Sequence, residues 1–311
     1  MINFNTVSNN FFLKLWCKFF DKNKYRDIKD EKRLADNVKY YNSRIYNQIL
    51  EIQKKIENNK ELSFLHSGLA GDVLWSLPTI KELAKSHKCK LYIQIDKPMT
   101  VDFSDSPRKV FLSKRMSDFI LPLLRNQDFL DTVNIYKGEK IDINFDLFRD
   151  IPINLTFYSS RWFSHICGIN INIEDTFLSV KPHNLIKNKI IVHRSPRSRY
   201  RNAYINYKFL KNTKNLLCIG LKDEFQDLKK EINNLEFHDC KDFLEMAEII
   251  KASKFYIGSM SPQHIIAEAL KVPRLLEASP VFPVVFPIGP NAFDAYHQNH
   301  FEKFFKDLNK L

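Results

Sequence analysis

Hydrophobic residues along this chain fall into two rhythms, and the two alternate. Short unbroken apolar runs bounded by turns read as buried strands, while apolar residues spaced three and four apart read as helices. Residues 62–65 (LSFL) give the first strand, and Val73, Leu74, Leu77, Ile80 and Leu83 form the helical stripe after it. Residues 90–95 predict a second strand. The polar, proline-interrupted segment 96–115 reads as a loop. Residues 116–126 then carry Phe119, Ile120, Leu123 and Leu124 on one helical face, and 132–136 and 141–147 are short strands. Residues 159–168 predict a helix closed by Gly168.

The alternation restarts beyond a polar stretch at residues 181–184. Segments 189–193, 216–219, 235–238, 254–257 and 274–276 predict strands, and 223–233, 241–252 and 262–271 predict the helices between them. Strands separated by helices imply parallel sheets covered on both faces. The predicted class is therefore α/β, with two Rossmann-like domains facing across a cleft. Residues 61–182 make the first domain and 183–296 the second. Residues 297–311 form a last helix with Phe301, Phe304, Phe305 and Leu308 inward, and residues 1–60 are an N-terminal helical extension.

Within that extension, Phe11, Phe12, Leu13, Leu15, Trp16, Phe19 and Phe20 crowd a short segment among Lys14, Lys18, Lys22 and Lys24. A basic segment interleaved with aromatics can lie in a membrane interface, and it can equally pack on the protein itself. Aromatics are more commonly core, so packing is the expectation. Residues 34–58 predict a helix with Ile45, Ile49, Ile52 and Ile56 in a stripe of 4-3-4 spacing. That stripe is too short to force a coiled coil and suits docking on a domain or on a second copy of the chain.

Composition narrows the class. With 311 residues, 44% hydrophobic and 27% charged, the chain can bury two cores and is not a disordered sequence. No apolar run is long enough to span a bilayer, and the first residues lack the layout of a secretion signal. The cysteines, Cys17, Cys89, Cys167, Cys218 and Cys240, are scattered without metal-type spacing, which fits reduced thiols in a cytoplasmic protein. A formal net charge of +12 favours an anionic partner, whether nucleotide phosphate, lipid surface or nucleic acid.

Three stretches carry candidate chemistry. In the first, Gly68 and Gly71 shape the turn after the opening strand, and Asp72 falls where the next helix begins. An aspartate there caps free N–H groups, and the carboxyl end of a strand is also where open α/β sheets bind ligands. The stretch Ser67-Gly68-Leu69-Ala70-Gly71-Asp72-Val73-Leu74, with Leu77-Pro78, resembles the first βα motif of the heptosyltransferase-like glycosyltransferases (glycosyltransferase family 9, GT-B fold). The resemblance implies that Asp72 is the catalytic base, and that acceptor-side residues follow the strand at Ile143-Asn144-Phe145-Asp146-Leu147. On the helix at 159–168, Arg161 and His165 lie four apart, where they could face an acceptor or simply pack.

The second stretch is His193-Arg194-Ser195-Pro196-Arg197-Ser198-Arg199-Tyr200-Arg201. Guanidinium forks match phosphate oxygens and cannot be buried unpaired. A strand-end position favours a diphosphate clamp by Arg194, Arg197 and Arg199 over a solvated loop or an RNA-binding patch, and the resembled family has a basic residue there. The third runs from Tyr256 to Pro273. Gly258, Ser259 and Ser261 form a small-residue turn before a helix with Pro262 at its start, leaving amides for phosphate oxygens. It resembles the family's donor loop, with Gly258, His264, Ala267 and Leu270 in frame and Gln263 at the helix start. It departs at Ser259, Met260 and Ser261, where the family carries an acidic residue. Glu268 is placed where the wider class holds ribose hydroxyls, and its plain alternative is a surface carboxylate. Glu277, Asn291 and Asp294 are further cleft candidates.

The implied reaction is an inverting transfer from a nucleotide-diphosphate sugar to a glycan, lipid-linked or protein hydroxyl. No Asp-x-Asp and no paired His or Cys spacing occurs, so neither metal nor cofactor is expected. The resemblance also implies that the last helix, 297–311, crosses back to the first domain. The thiols and the basic aromatic segment point to a cytoplasmic protein with peripheral contact at the inner membrane face, and the N-terminal helices offer a self-association surface. Alternatives are a catalytically inactive relative, a nucleic-acid-binding basic protein, or an epimerase of the same shape, for which no cluster of acids and bases is evident. Seven glycines is a low count for such a fold.

Overall fold

A computed structural model describes residues 11–99, 109–151, 158–196, 205–279 and 283–311. The extension is helical throughout these residues: α1 (Phe11–Phe20), α2 (Lys22–Tyr40), a π-helical turn (Tyr41–Ile45) and α3 (Tyr46–Asn58). Ile45, Ile49 and Ile52 are buried in the main core, so the isoleucine stripe docks on the first sheet's domain. The aromatics of α1 do not follow the packing expectation. Phe12 is 81% exposed and Phe20 75%, because only Cys17 of that helix turns inward to a buried position.

Four parallel strands form the first sheet: β1 (Glu61–His66), β2 (Lys88–Ile93), β3 (Thr132–Ile135) and β4 (Ile143–Asn144), in the order β3-β2-β1-β4. Helices α4 (Ala70–Leu83), α5 (Lys114–Arg125) and α6 (Ser160–Cys167) accompany it. Gly168 closes α6 in the left-handed region, with φ of 64°. The strand expected over 141–147 is cut to two residues. The Asn144 side chain accepts from the Asp146 backbone N–H, and the chain winds into a 3-10 turn over Phe145–Arg149.

The second sheet has six parallel strands: β5 (Ile190–His193), β6 (Leu216–Ile219), β7 (Glu236–His238), β8 (Phe255–Ser259), β9 (Arg274–Glu277) and β10 (Ala292–Ala295), ordered β10-β9-β8-β5-β6-β7. Strand β10 was not anticipated from the sequence. It joins the edge of β9 through a Phe293 and Asp294 register that carries no apolar run. Helices α7 (Lys222–Lys229), α8 (Phe243–Lys251), α9 (Pro262–Ala269) and α10 (Gln298–Asn309) complete this half. The last helix does not cross back to the first domain. Its Phe301, Phe305 and Leu308 pack with Tyr207, Leu210 and Phe255, all of the second half.

In each sheet the chain works outward in one direction and then returns to the other side of its first strand. The reversal falls between β1 and β4 in the first sheet and between β5 and β8 in the second. Ligand crevices form at such switch points, beyond the carboxyl ends of the strands. The two halves are not loosely tethered, since one continuous apolar core contains residues of both. Helix α4 packs on α9, and Phe119 of α5 meets Phe243 of α8 edge to face at 6.0 Å. A β-carbon on Gly71 would lie 2.8 Å from Ile265 Cδ1, so the start of α4 abuts the start of α9.

Candidate active site

The first switch point gathers a compact charged network. Asp72, in the first turn of α4, accepts the Leu69 N–H on Oδ2 at 3.0 Å and an Arg149 N–H on the same oxygen at 3.2 Å. Arg149 also donates to Asp146 Oδ1 at 3.0 Å. Its guanidinium is fixed between two rings, 4.3 Å from the Phe111 centroid and 4.4 Å from that of Phe148. Asp146, just past β4, further accepts Ser67 N–H at 3.0 Å, the Ser67 hydroxyl, and Lys97 Nζ at 2.7 Å. Two carboxylates are thus joined by one arginine directly outside β1 and β4.

These surroundings set the protonation states. Burial would lift the Asp146 carboxyl, but the hydrogen bonds from Lys97 and Ser67 outweigh it and hold the group well below the usual carboxylate range. At Asp72 burial wins: its pKa is raised although Arg149 and the Leu69 N–H pull the other way. The side chain keeps 22% of its surface. His66, fully enclosed beneath, is pushed down to about 3 by burial, against the attraction of Asp146. Its Nδ1 accepts the Gly68 N–H at 2.9 Å, so the neutral ring carries its proton on Nε2, which is buried without a partner.

Gly68 is required by this arrangement. A β-carbon there would sit 2.4 Å from an Arg149 nitrogen, 2.5 Å from the His66 ring and 2.8 Å from Asp72 Oδ2. Beside the network lies a cavity of about 750 Å³, walled by Asn47, Gln48 and Glu51 of α3 and by Lys97, Asp146 and Arg149. That volume lies in the range of small-molecule sites. The part of α3 in this wall was not foreseen from the sequence, nor were Arg149 and Lys97. Neither basic residue belongs to a recognisable motif, although Lys97 lies in the segment 96–115, which reads as a loop near the site.

At the second switch point, β5 and β8 run side by side with His193 opposite Gly258. A side chain at Gly258 would strike the His193 carbonyl at 2.4 Å. Ser259 Oγ accepts the Ser195 N–H at 2.8 Å and so ties the two strand ends together. Ser261 caps α9 by accepting the His264 N–H at 3.2 Å. His264 donates from Nε2 to the Val285 carbonyl at 2.8 Å, which leaves Nδ1 bare and buried, and burial pushes this imidazole down to about 4. Gln263 is buried at the start of the same helix.

Two residues expected to hold the donor are enclosed in the protein's own ion pairs. Arg194 is 1% exposed, and its guanidinium donates to Glu231 and Asp227, each at 2.8 Å, over the Tyr207 ring. Glu268 is fully buried, and its oxygens are taken by Tyr158 at 2.9 Å, by Arg274 Nε at 2.6 Å, by the Ile288 N–H at 3.2 Å and by Lys271. Glu268 has both oxygens taken, and Arg194, whose Nε is buried without a partner, is enclosed with its charge already paired, so neither presents an accessible group to phosphate or ribose. Arg197 and Arg199 lie outside the described residues. His165 is bonded to Tyr41 of the extension at 3.0 Å, a structural tie.

Among the described residues, His238, Cys240 and Glu245 bring metal-ligating atoms within 4.8 Å of one another on the edge strand β7 and the start of α8. His238 is already bonded to Glu245 there, at 3.1 Å.

Two parallel sheets, each with its switch point turned to the start of a helix in contact with the other half, define the two-domain GT-B arrangement. No family model and no curated protein sequence matches the chain. Among solved structures it is similar to a family 9 glycosyl transferase from Veillonella parvula, with a TM-score of 0.50 and 11% identity over 81% of this chain and 90% of that one. It is also similar to the iron-containing dodecameric glycosyltransferase TibC of enterotoxigenic E. coli (TM-score 0.48, 14% identity, 76% of this chain and 62% of that one). The E. coli heptosyltransferase WaaC with ADP aligns with a TM-score of 0.47 at 10% identity, over 80% of this chain and 99% of that one. At these identities the first likeness establishes the fold.

Proposed function

We propose that this chain is a heptosyltransferase-like glycosyltransferase that inverts configuration and needs no metal. Its donor would be a nucleoside-diphosphate sugar, and its acceptor a hydroxyl of a glycan, a lipid-linked glycan or a protein. The observation that carries the reading is Asp72. It is a carboxylate at the mouth of β1 with one oxygen tied by Leu69 and Arg149, its pKa raised, and the start of α9 beside it.

In this reading the acceptor occupies the cavity between α3 and Arg149. Its hydroxyl oxygen attacks the anomeric carbon as the bond to the diphosphate breaks, and the hydroxyl proton passes to Asp72 Oδ1. Arg149 positions the carboxylate, and Asp146, itself held by Ser67 and Lys97, positions Arg149. The leaving diphosphate is met by amides at the start of α9 and by Arg197 and Arg199, which follow β5 in sequence. Arg194 and Glu268 take no part in binding. The reading puts the enzyme in the cytoplasm, at the inner membrane face where lipid-linked acceptors lie.

The test is a panel of nucleoside-diphosphate sugars scored by thermal shift and by release of the nucleoside diphosphate. One member should raise the melting temperature and be consumed when acceptor is supplied. If no nucleotide stabilises the protein, the reading fails.

A further inference from the structure

The segment that the transferase reading leaves unused is α1. Its exposed residues are Phe11, Phe12, Leu15, Trp16, Phe19 and Phe20, between 42% and 81% exposed, while Cys17 is buried. At 3.6 residues per turn these six cover about half of the helix circumference as one continuous stripe. A soluble surface rarely leaves such a face uncovered. Trp16 and Phe20 lie 5.8 Å apart, and Phe11 and Phe12 meet edge to face at 5.9 Å, so the stripe is already a ring cluster, left exposed among the described residues.

Charge decides what covers it. Lys14 and Lys18 lie on α1 itself, Lys22 and Lys24 follow at the start of α2, and the single acid in 11–24, Asp21, is engaged in capping α2 at the Lys24 N–H. Lys18 lies 6.0 Å from the Phe19 ring centroid, at the edge of the apolar face. A second copy of the chain would bring the same lysines against one another, whereas an anionic surface would neutralise them. The helix has 10 residues, about 15 Å of length, half of what a bilayer core requires. Among the described residues no helix is long and apolar enough to cross a membrane. An amphipathic basic helix of this kind lies in the plane of the interface.

We propose that α1 is the surface by which this protein docks on a bilayer of anionic phospholipid, with the rings of Phe12, Trp16 and Phe20 inserted and Lys14 and Lys18 at the headgroups. The proposal names the face behind the peripheral location given above. It stands on α1 alone, and its test uses no sugar, so its failure and that of the transferase reading are separable.

The full chain is sedimented with phosphatidylcholine vesicles prepared with and without phosphatidylglycerol, alongside sedimentation equilibrium without lipid. The expected result is binding that requires phosphatidylglycerol, weakens with salt and shifts Trp16 fluorescence to the blue. The triple variant Phe12→Ser, Trp16→Ser, Phe20→Ser should keep its melting temperature and lose vesicle partition by more than about tenfold. The pair Lys14→Glu, Lys18→Glu should lose the preference for phosphatidylglycerol. Absence of vesicle binding, or binding that the triple variant retains, overturns the proposal. So does a dimer that the triple variant dissolves while vesicles are ignored, which would assign the face to a second copy.

Discussion

Asp72 and Asp146 have the same side chain a few ångströms from the same arginine, and their pKa values are moved in opposite directions. Asp146 collects Ser67, Lys97 and Arg149, and its charge is fully compensated. Asp72 shares Arg149 and one amide, which is too little to offset its burial. Asp146 suits a fixed anion and Asp72 a base. Arg149→Met should therefore raise the Asp72 pKa further, because the cation that lowers it is gone. The acid limb of the kcat/KM profile then moves to higher pH, with the alkaline plateau reduced by less than the acid-side rate. Gly68→Ala would push a methyl group into the Asp72–Arg149 contact. We expect at least a tenfold loss of kcat, about 1.4 kcal/mol, with a folded protein by circular dichroism. Asp72 and Gly68 were legible in the sequence because a strand, a glycine turn and a helix start are local patterns. Arg149 was not, since its role comes from the 3-10 turn that replaces the expected end of a strand.

Among the elements, α9 shows where sequence reading succeeds and where it stops. Its strand–turn–helix context, Ser261 cap and Pro262 start are all local and were readable. The use of Glu268 was not, because Tyr158 and Ile288 are distant in the chain and Arg274 reaches it from the next strand, β9. The same holds for Arg194, paired with two carboxylates on and just after α7 that no local pattern joins to it. Glu268→Ala would strand Arg274, which is fully buried, and Lys271 without their counter-ion. The expected cost is about 3–5 kcal/mol in denaturant unfolding, with nucleotide affinity unchanged in the folded fraction. A ribose contact would show the reverse, a loss of affinity with stability intact.

For the whole molecule, the alternation of apolar runs and helical stripes was enough to read two parallel α/β sheets, since that pattern repeats from Leu62 to Leu276. It could not show that one core runs through both halves, nor that α10 stays on its own sheet, because both depend on which apolar faces meet. That shared core also couples the stability of both halves to pH. His66 and His264 are enclosed as neutral rings, pushed from 6.5 down to about 3 and about 4. The unfolded chain binds protons at both positions below about pH 6.5, while the folded chain does not. Stability is therefore highest above that pH and falls as pH drops toward 4, by on the order of 2 kcal/mol per histidine at pH 5. Melting temperatures measured from pH 8 to 5 should decline, and the double variant His66→Gln, His264→Gln should flatten the decline. A profile that stays level from pH 7 to 5 would mean that these rings are not buried as described.

The most direct test of the account is Asp72→Asn, assayed with the nucleoside-diphosphate sugar that stabilises the wild-type protein. The account predicts an unchanged nucleotide dissociation constant and melting temperature, with transfer lowered by about 10²- to 10⁴-fold, the contribution of a general base. Transfer at the wild-type rate would contradict it.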